Sequence, residues 1–92
     1  INDFVRGTDR IDLATIDAIL GGANNAFSNA LIVSQASSAF TANGQLRVFL
    51  EAGNTIIEGN TVGGAGNGAE FSIQLIGNYV TTNTLTAADF IL

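Results

Sequence analysis

Apolar and polar positions alternate most regularly in the second half of the chain. Apolar residues recur at every second position in residues 46–51 and again in residues 70–75. This period is that of a half-buried β-strand. Between these two stretches, residues 55–58 are rich in β-branched side chains and follow a short turn at residues 52–54. The pattern therefore predicts a three-stranded antiparallel meander over residues 45–76.

The remaining segments are shorter and less regular. Residues 1–5 predict the start of a strand, residues 10–13 a second extended piece, and residues 26–33 a further strand. Residues 14–20 are expected to form a helical turn, whereas residues 34–40 fit either a short helix or a loop.

Near the end of the chain, Thr86 with Asp89 three positions later is typical of a short capped helical turn. The expected fold class is therefore mostly β. Residues 1–92 are expected to form one small antiparallel sheet or sandwich-like domain, with one or two short helical turns.

Composition limits the classes of function. The chain has 92 residues, of which 47% are hydrophobic and 12% charged, enough apolar material for one small core. Eight acidic residues against three arginines give a net charge of −5, which argues against a nucleic-acid partner. No apolar run reaches bilayer length, so no membrane insertion is expected. With no Cys and no His, the chain is expected to hold no zinc and no catalytic residues.

Four carboxylates, those of Asp3, Asp9, Asp12 and Asp17, lie close together in the sequence. Carboxylate oxygens are ligands for calcium. Gly7 stands two positions before Asp9, as in the second half of the nonapeptide G-G-x-G-x-D-x-U-x that binds calcium in parallel β-rolls. The Gly-Gly half is missing, so a preceding turn would have to supply further ligands. The calcium candidates are Gly7, Asp9 and Asp12, and the alternative is that these acids lie on solvated turns and cap backbone amides.

Two further patterns are weaker. Residues 63–68 open like the same nonapeptide, but Gly68 stands where the calcium-binding Asp belongs, and a hairpin loop is the favoured interpretation. Glu51 and Glu58 could face one another across the hairpin as a catalytic carboxylate pair. No substrate-binding aromatic platform accompanies them, so solvated acids on the face of a strand are favoured.

The last four residues form an unusual terminus, because Asp89 is followed by the apolar residues Phe90, Ile91 and Leu92. Chain ends are commonly polar and frayed. The pattern favours a C-terminal export signal or a last strand that packs into the core. The same tail can serve both roles in turn, first unfolded and then folded.

Five segments, taken in order, resemble the C-terminal domain of serralysin-type secreted metallopeptidases and related RTX proteins. Residues 1–13 resemble the pattern I-x-D-F-x-x-G-x-D-x-I-D-L, and residues 38–47 are similar to A-F…G-E-L-R. Residues 54–60 resemble N-T-x-V-x-G-D, residues 69–75 resemble A-D-F-x-I-Q-L, and residues 85–92 resemble L-T-A-x-D-F-I-L. The matches run from the first residue to the last.

The resemblance implies a non-catalytic module of a protein secreted from a Gram-negative bacterium by the type I route. Such a module caps an upstream, calcium-loaded parallel β-roll and carries the signal read by an ABC-type exporter. The implied partners are the exporter and the upstream roll or catalytic domain of the same protein. Calcium would be held mainly by the roll, and zinc in relatives lies in a separate catalytic domain. Since position 1 is not Met, we expect a piece or a processed product of a longer protein.

The resemblance has departures and leaves alternatives. Relatives often have an acidic loop where this chain has Asn60 and Asn67, so only Glu70 keeps a carboxylate there. The module also occurs behind lipases, polysaccharide epimerases, adhesins and surface-layer proteins, so it does not identify its parent. A binding or self-assembly module of a surface-layer, adhesin-like or polysaccharide-acting protein is therefore the alternative function. A hydrolase in its own right is the least favoured.

Overall fold

The computed structural model describes residues 1–28, 32–34, 39–62 and 68–92. Within these ranges, six strands and one 3₁₀ helix follow one another in the order β1 Ile11–Asp12, β2 Ile32–Ser34, β3 Gln45–Glu51, β4 Asn54–Asn60, β5 Phe71–Leu75, the helix Ala87–Asp89, and β6 Phe90–Ile91. One sheet has the strand order β2-β3-β4-β5, and a second sheet consists of β1 and β6. The fold is mostly β, as the sequence predicts.

The predicted meander is confirmed. β3 and β4 pair antiparallel with Val48 opposite Ile57, and β4 and β5 pair antiparallel with Ile57 opposite Ile73. Several inward-facing side chains on these strands are fully buried, among them Leu46 and Ile57. β4 is longer than the predicted segment of residues 55–58, because its pairing with β3 continues through Asn60.

The turn between β3 and β4 consists of Ala52 and Gly53. Both residues have positive φ, 52° and 80°. Two-residue hairpin turns of this kind match the twist of the strands and require φ > 0 at both positions. Gly53 adopts this conformation freely, whereas Ala52 is strained in it.

Gly59 marks a close approach between neighbouring strands. It pairs with Phe71 of β5, whose ring lies over the glycine, so that a Cβ at position 59 would overlap the ring. The same ring meets Phe27 edge-to-face with centroids 5.6 Å apart. Because Gly59 has no side chain, the ring of Phe71 can lie over it and pack against the core.

Two predictions in the first half of the chain are wrong. Residues 14–20 form turns and bends without a helix. The carboxylate of Asp17 accepts the amides of Ile19 at 3.2 Å and Asn25 at 3.0 Å, which offers the backbone an alternative to helical bonding. Residues 1–5 form no strand, although Ile1 makes two backbone bonds to the end of β5.

The strand expected over residues 26–33 is shorter and lies further along, as β2. It pairs in parallel with β3, Val33 opposite Val48, so the sheet is not purely antiparallel. The helix-or-loop alternative for residues 34–40 falls largely on residues 35–38, and the glycine-rich stretch on residues 63–67, both outside the described residues.

The core joins the meander to the two ends of the chain. Phe4, Leu13, Leu85 and Phe90 are buried in one cluster with the inward side chains of β3, β4 and β5. No helix in the described part of the chain has the length and apolar character needed to span a bilayer.

Candidate functional site

The two ends of the chain meet in what we call the terminal interface, formed by residues 4–13 and 85–92. β1 pairs in parallel with β6, Ile11 opposite Phe90 and Asp12 opposite Ile91. The amide of Leu13 donates to the carbonyl oxygen of Ile91 at 2.8 Å, which continues the pairing beyond β1. The segment that contains the calcium candidates therefore binds directly to the segment that contains the candidate export signal.

Asp89 is the polar centre of this interface. Its Oδ2 accepts the backbone amide of Thr86 at 2.8 Å, so the predicted capped turn is confirmed. The same oxygen accepts Nε of Arg6 at 2.9 Å and lies 2.8 Å from Arg6 Nη2. The Asp89 side chain is only 5% exposed, whereas that of Arg6 is 25% exposed. A nearly buried carboxylate is thus held by charge-assisted hydrogen bonds, which are stronger than neutral ones.

The environment of Asp89 determines its protonation. Burial alone raises the pKa of Asp89, but the hydrogen bond and charge of Arg6 and the bonds from Thr86 outweigh it, so the pKa lies below its ordinary value. The stabilisation that depends on the ionised form is complete above the pKa of an unfolded Asp, about 4. It is lost as the pH falls through the lower folded value.

The sequence did not predict the contacts that Arg6, Tyr79 and Asn83 make in or beside the terminal interface. Arg6 also donates to Oδ1 of Asn83 at 3.3 Å. The hydroxyl of Tyr79 donates to the carbonyl oxygen of Phe4 at 2.7 Å, and the two rings meet edge-to-face. The one sequence feature that points to the Arg6–Asp89 pair is the small number of cations. The chain has three arginines and no lysine, so a buried acid has few possible partners.

The four residues of the candidate export signal differ in exposure. Asp89 and Phe90 are buried, Ile91 is 41% exposed, and Leu92 packs partly against the core. The expectation that the tail ends as a strand packed into the core is confirmed by β6. The export role stays a prediction. In the folded chain, Asp89 and Phe90 are buried and therefore not accessible to an exporter.

The calcium candidates lie in and after a tight turn. Gly7 has φ of 83°, and the amides of Thr8 and Asp9 donate to the carbonyl oxygen of Val5 at 3.2 and 2.8 Å. Oδ2 of Asp9 accepts the amide of Val5 at 2.8 Å. The carboxylate of Asp12 caps the backbone as well, since its Oδ1 accepts the amide of Ala14 at 2.9 Å.

Asp3, Asp9 and Asp12 line one open concavity of about 440 Å³, together with Arg10. Calcium takes 6–8 oxygen ligands. Within the described ranges, no group of three or more acidic side chains is placed to hold a metal ion together. Calcium binding through Asp9 and Asp12 therefore stays a prediction, and it would need ligands from outside these residues.

The glutamates of the hairpin do not face one another. The register sets Glu58 opposite Arg47 and Glu51 opposite Asn54. Glu58 Oε2 lies 3.2 Å from Arg47 Nη2, and both side chains are largely buried. The guanidinium of Arg47 also stacks over the ring of Phe40 at 4.3 Å. Glu58 thus forms an ion pair on the sheet, whereas Glu51 is exposed at the end of its strand.

No protein-family model, curated protein or solved structure matches this chain. The resemblance to serralysin-type C-terminal domains accordingly rests on the sequence segments quoted above. The terminal interface is the structural feature from which a function can be argued.

Proposed function

We propose that this chain is the non-catalytic C-terminal module of a secreted RTX protein, with a serralysin-type zinc metalloendopeptidase as the favoured parent. Its tail, residues 89–92, is the signal for an ABC-type exporter, and its body caps a calcium-binding β-roll. The observation that carries the proposal is the terminal interface. The first and last segments that resemble the family, residues 1–13 and 85–92, are the two that bind one another.

The burial of the tail suits a signal that is read before folding. An exporter threads an extended chain, so it meets Asp89 and Phe90 while they are free. Outside the cell the same residues complete the domain, because Phe90 fills the core and Asp89 binds Arg6. One short segment thus serves transport first and stability afterwards.

The N-terminal segment suits contact with an upstream roll. Ile1 and Val5 are large apolar residues with about half of their surface exposed, 56% and 55%. Ile1 is one of the residues that line the acidic concavity, and Val5 follows directly after Phe4, which lines it too. The open end of a stack of strands exposes backbone groups and apolar side chains that a cap must cover. Asp9 and Asp12 would supply oxygen ligands for calcium at that junction, and Gly7 permits the turn.

Export of a fused passenger tests the proposal. A passenger is joined to the amino end of the chain and expressed with an ABC-type exporter. Removal of residues 90–92 is expected to abolish export, but it also removes β6. The sharper variant is Ile91→Ser, because Ile91 is 41% exposed and its loss changes the signal while the fold is retained. Val62→Ser is the matched control, since Val62 is 48% exposed and lies far from the tail in sequence.

The expected result is reduced export for Ile91→Ser and unchanged export for Val62→Ser, with both proteins folded once outside. Full export of the chain that lacks residues 90–92 would refute the signal. Equal losses in the two serine variants would show a general effect of folding or solubility instead.

A further inference from the structure

β5 is one of the two edge strands of the four-stranded sheet, and one side of it faces away from β4. Among the described residues, this edge is engaged at one point, by Ile1. The amino group of Ile1 donates to the carbonyl oxygen of Gln74 at 2.7 Å. The amide of Ile76 donates to the carbonyl oxygen of Ile1 at 2.8 Å.

These two bonds have the geometry of a parallel ladder. In parallel pairing, one residue donates to and accepts from the two residues that flank its partner. Ile1 does so with Gln74 and Ile76, so its partner is Leu75. Alternation along a strand then directs the backbone groups of Leu75 and Ile73 towards β4, and those of Gln74 and Ser72 towards the edge that faces away from β4.

The residues of β5, all of which the structure describes, include none of the usual protections against strand addition. Exposed edges are commonly guarded by charged residues or proline. β5 has the sequence F-S-I-Q-L, with neither. Phe71 and Ile73 pack against the core but are only partly buried. An added strand would cover their remaining exposed surface.

We propose that the edge of β5 is a docking site for an extended segment that leads into Ile1 and adds a fifth, parallel strand to the sheet. The inference rests on the proposed function in one respect, namely that a segment precedes Ile1 in the parent protein. Ile1 is already bonded in this register, so the direction and alignment of the incoming strand are set.

The register also specifies the chemistry of the segment. Partners in a parallel pair lie on the same face of the sheet. The second and fourth residues before Ile1 would lie beside Ile73 and Phe71, on the core side, and should be apolar. The first and third would lie beside Gln74 and Ser72, whose side chains are exposed, and should be polar.

Amide hydrogen exchange on extended chains tests this docking. One chain carries the four-residue extension Val-Thr-Val-Thr before Ile1, a second carries only Val-Thr, and a third carries Gly-Ser-Gly-Ser as the length-matched control. With Val-Thr, exchange of the Gln74 amide should slow by about fivefold or more, the effect of one net hydrogen bond. With Val-Thr-Val-Thr, the Ser72 amide should slow as well.

The Ile73 amide, which faces β4, reports the integrity of the fold in every chain. Unchanged exchange of Gln74 and Ser72 in the chain with Val-Thr-Val-Thr, with Ile73 still protected, would overturn the proposal. So would equal protection by Gly-Ser-Gly-Ser, or protection in the unextended chain that rises with protein concentration, which indicates pairing with a second copy. None of these outcomes bears on export, so the docking and the signal can fail separately.

Discussion

The meander and the terminal interface are two ways to build β-structure in one small domain. In the meander, β3 and β4 are each seven residues long and pair over their whole length. Their partners are close in sequence, and the turn between them has two residues. In the terminal interface, β1 and β6 have two residues each, and the Arg6–Asp89 bond joins positions 83 apart.

The difference shows where each region obtains its stability. The meander relies on repeated backbone bonds and a continuous buried face, so no single contact decides it. The terminal interface has a short ladder, and it relies on one carboxylate, one guanidinium and the anchoring of Phe90. Segments with few backbone bonds open at lower free energy than core strands. We therefore expect the interface to open while the meander stays folded, which suits the proposed role of the tail as an export signal.

Replacing one buried isoleucine in each region by alanine gives the largest expected effect on the free energy of unfolding. Ile57 lies in the middle of the meander and is fully buried, whereas Ile11 lies in β1 and is 6% exposed. Ile57→Ala should lower the free energy of unfolding by about 4 kcal/mol, since neighbours on both sides keep the cavity open. Ile11→Ala should cost about 2 kcal/mol, because a two-residue strand can relax. Urea denaturation of the two variants measures both values.

Hydrogen exchange provides the control for this pair. Ile11→Ala should speed exchange of the Leu13 amide, which bonds to Ile91, with little change at the Ile73 amide. If the Ile11→Ala variant loses as much stability as the Ile57→Ala variant, and both amides respond alike, the two regions form a single cooperative unit.

The carboxylate of Asp89 gives an intermediate effect that depends on pH. At neutral pH, Asp89→Asn should lower the free energy of unfolding by about 1–2 kcal/mol, because the charge-assisted bonds from Arg6 become neutral ones. Because its surroundings lower the pKa of Asp89, the wild-type advantage is present above about pH 4 and fades as the pH falls further. Urea midpoints of both proteins at neutral pH and at about pH 3 measure it.

Glu51→Gln is the control for loss of one negative charge, since Glu51 is exposed at the end of β3. Its difference from wild type at neutral pH should be small, because the Glu51 side chain is exposed. A difference between wild type and Asp89→Asn that persists or grows in acid would contradict the role assigned to the ionised carboxylate.

The two regions also differ in how far they could be predicted. Period-two alternation at Leu46 and Val48 and the turn at Gly53 are local signals, and the meander followed from them. The Thr86–Asp89 turn was local too and was confirmed. The Arg6–Asp89 bond was not foreseen, because no local pattern links positions so far apart. The helix expected around Asp17 does not form, because the Asp17 carboxylate accepts hydrogen bonds from backbone amides. The spacing of apolar residues does not reveal such bonds.

Ala52, in the turn of the meander, and Asn83, near the terminal interface, give the smallest expected effects on stability. The two substitutions proposed there are the reverse of one another. Ala52 has φ of 52°, and Asn83, a partner of Arg6, has φ of 50°. Asn adopts this conformation at a lower energetic cost than Ala. Ala52→Asn should raise the free energy of unfolding by about 0.5–1 kcal/mol, which corresponds to a rise of about 2–6 °C in Tm. Asn83→Ala should lower stability by at least as much, since it adds the strain and removes a bond to Arg6. Thermal denaturation of both variants measures the pair, and a fall in Tm for Ala52→Asn would show that contacts of the Ala52 side chain outweigh the backbone strain.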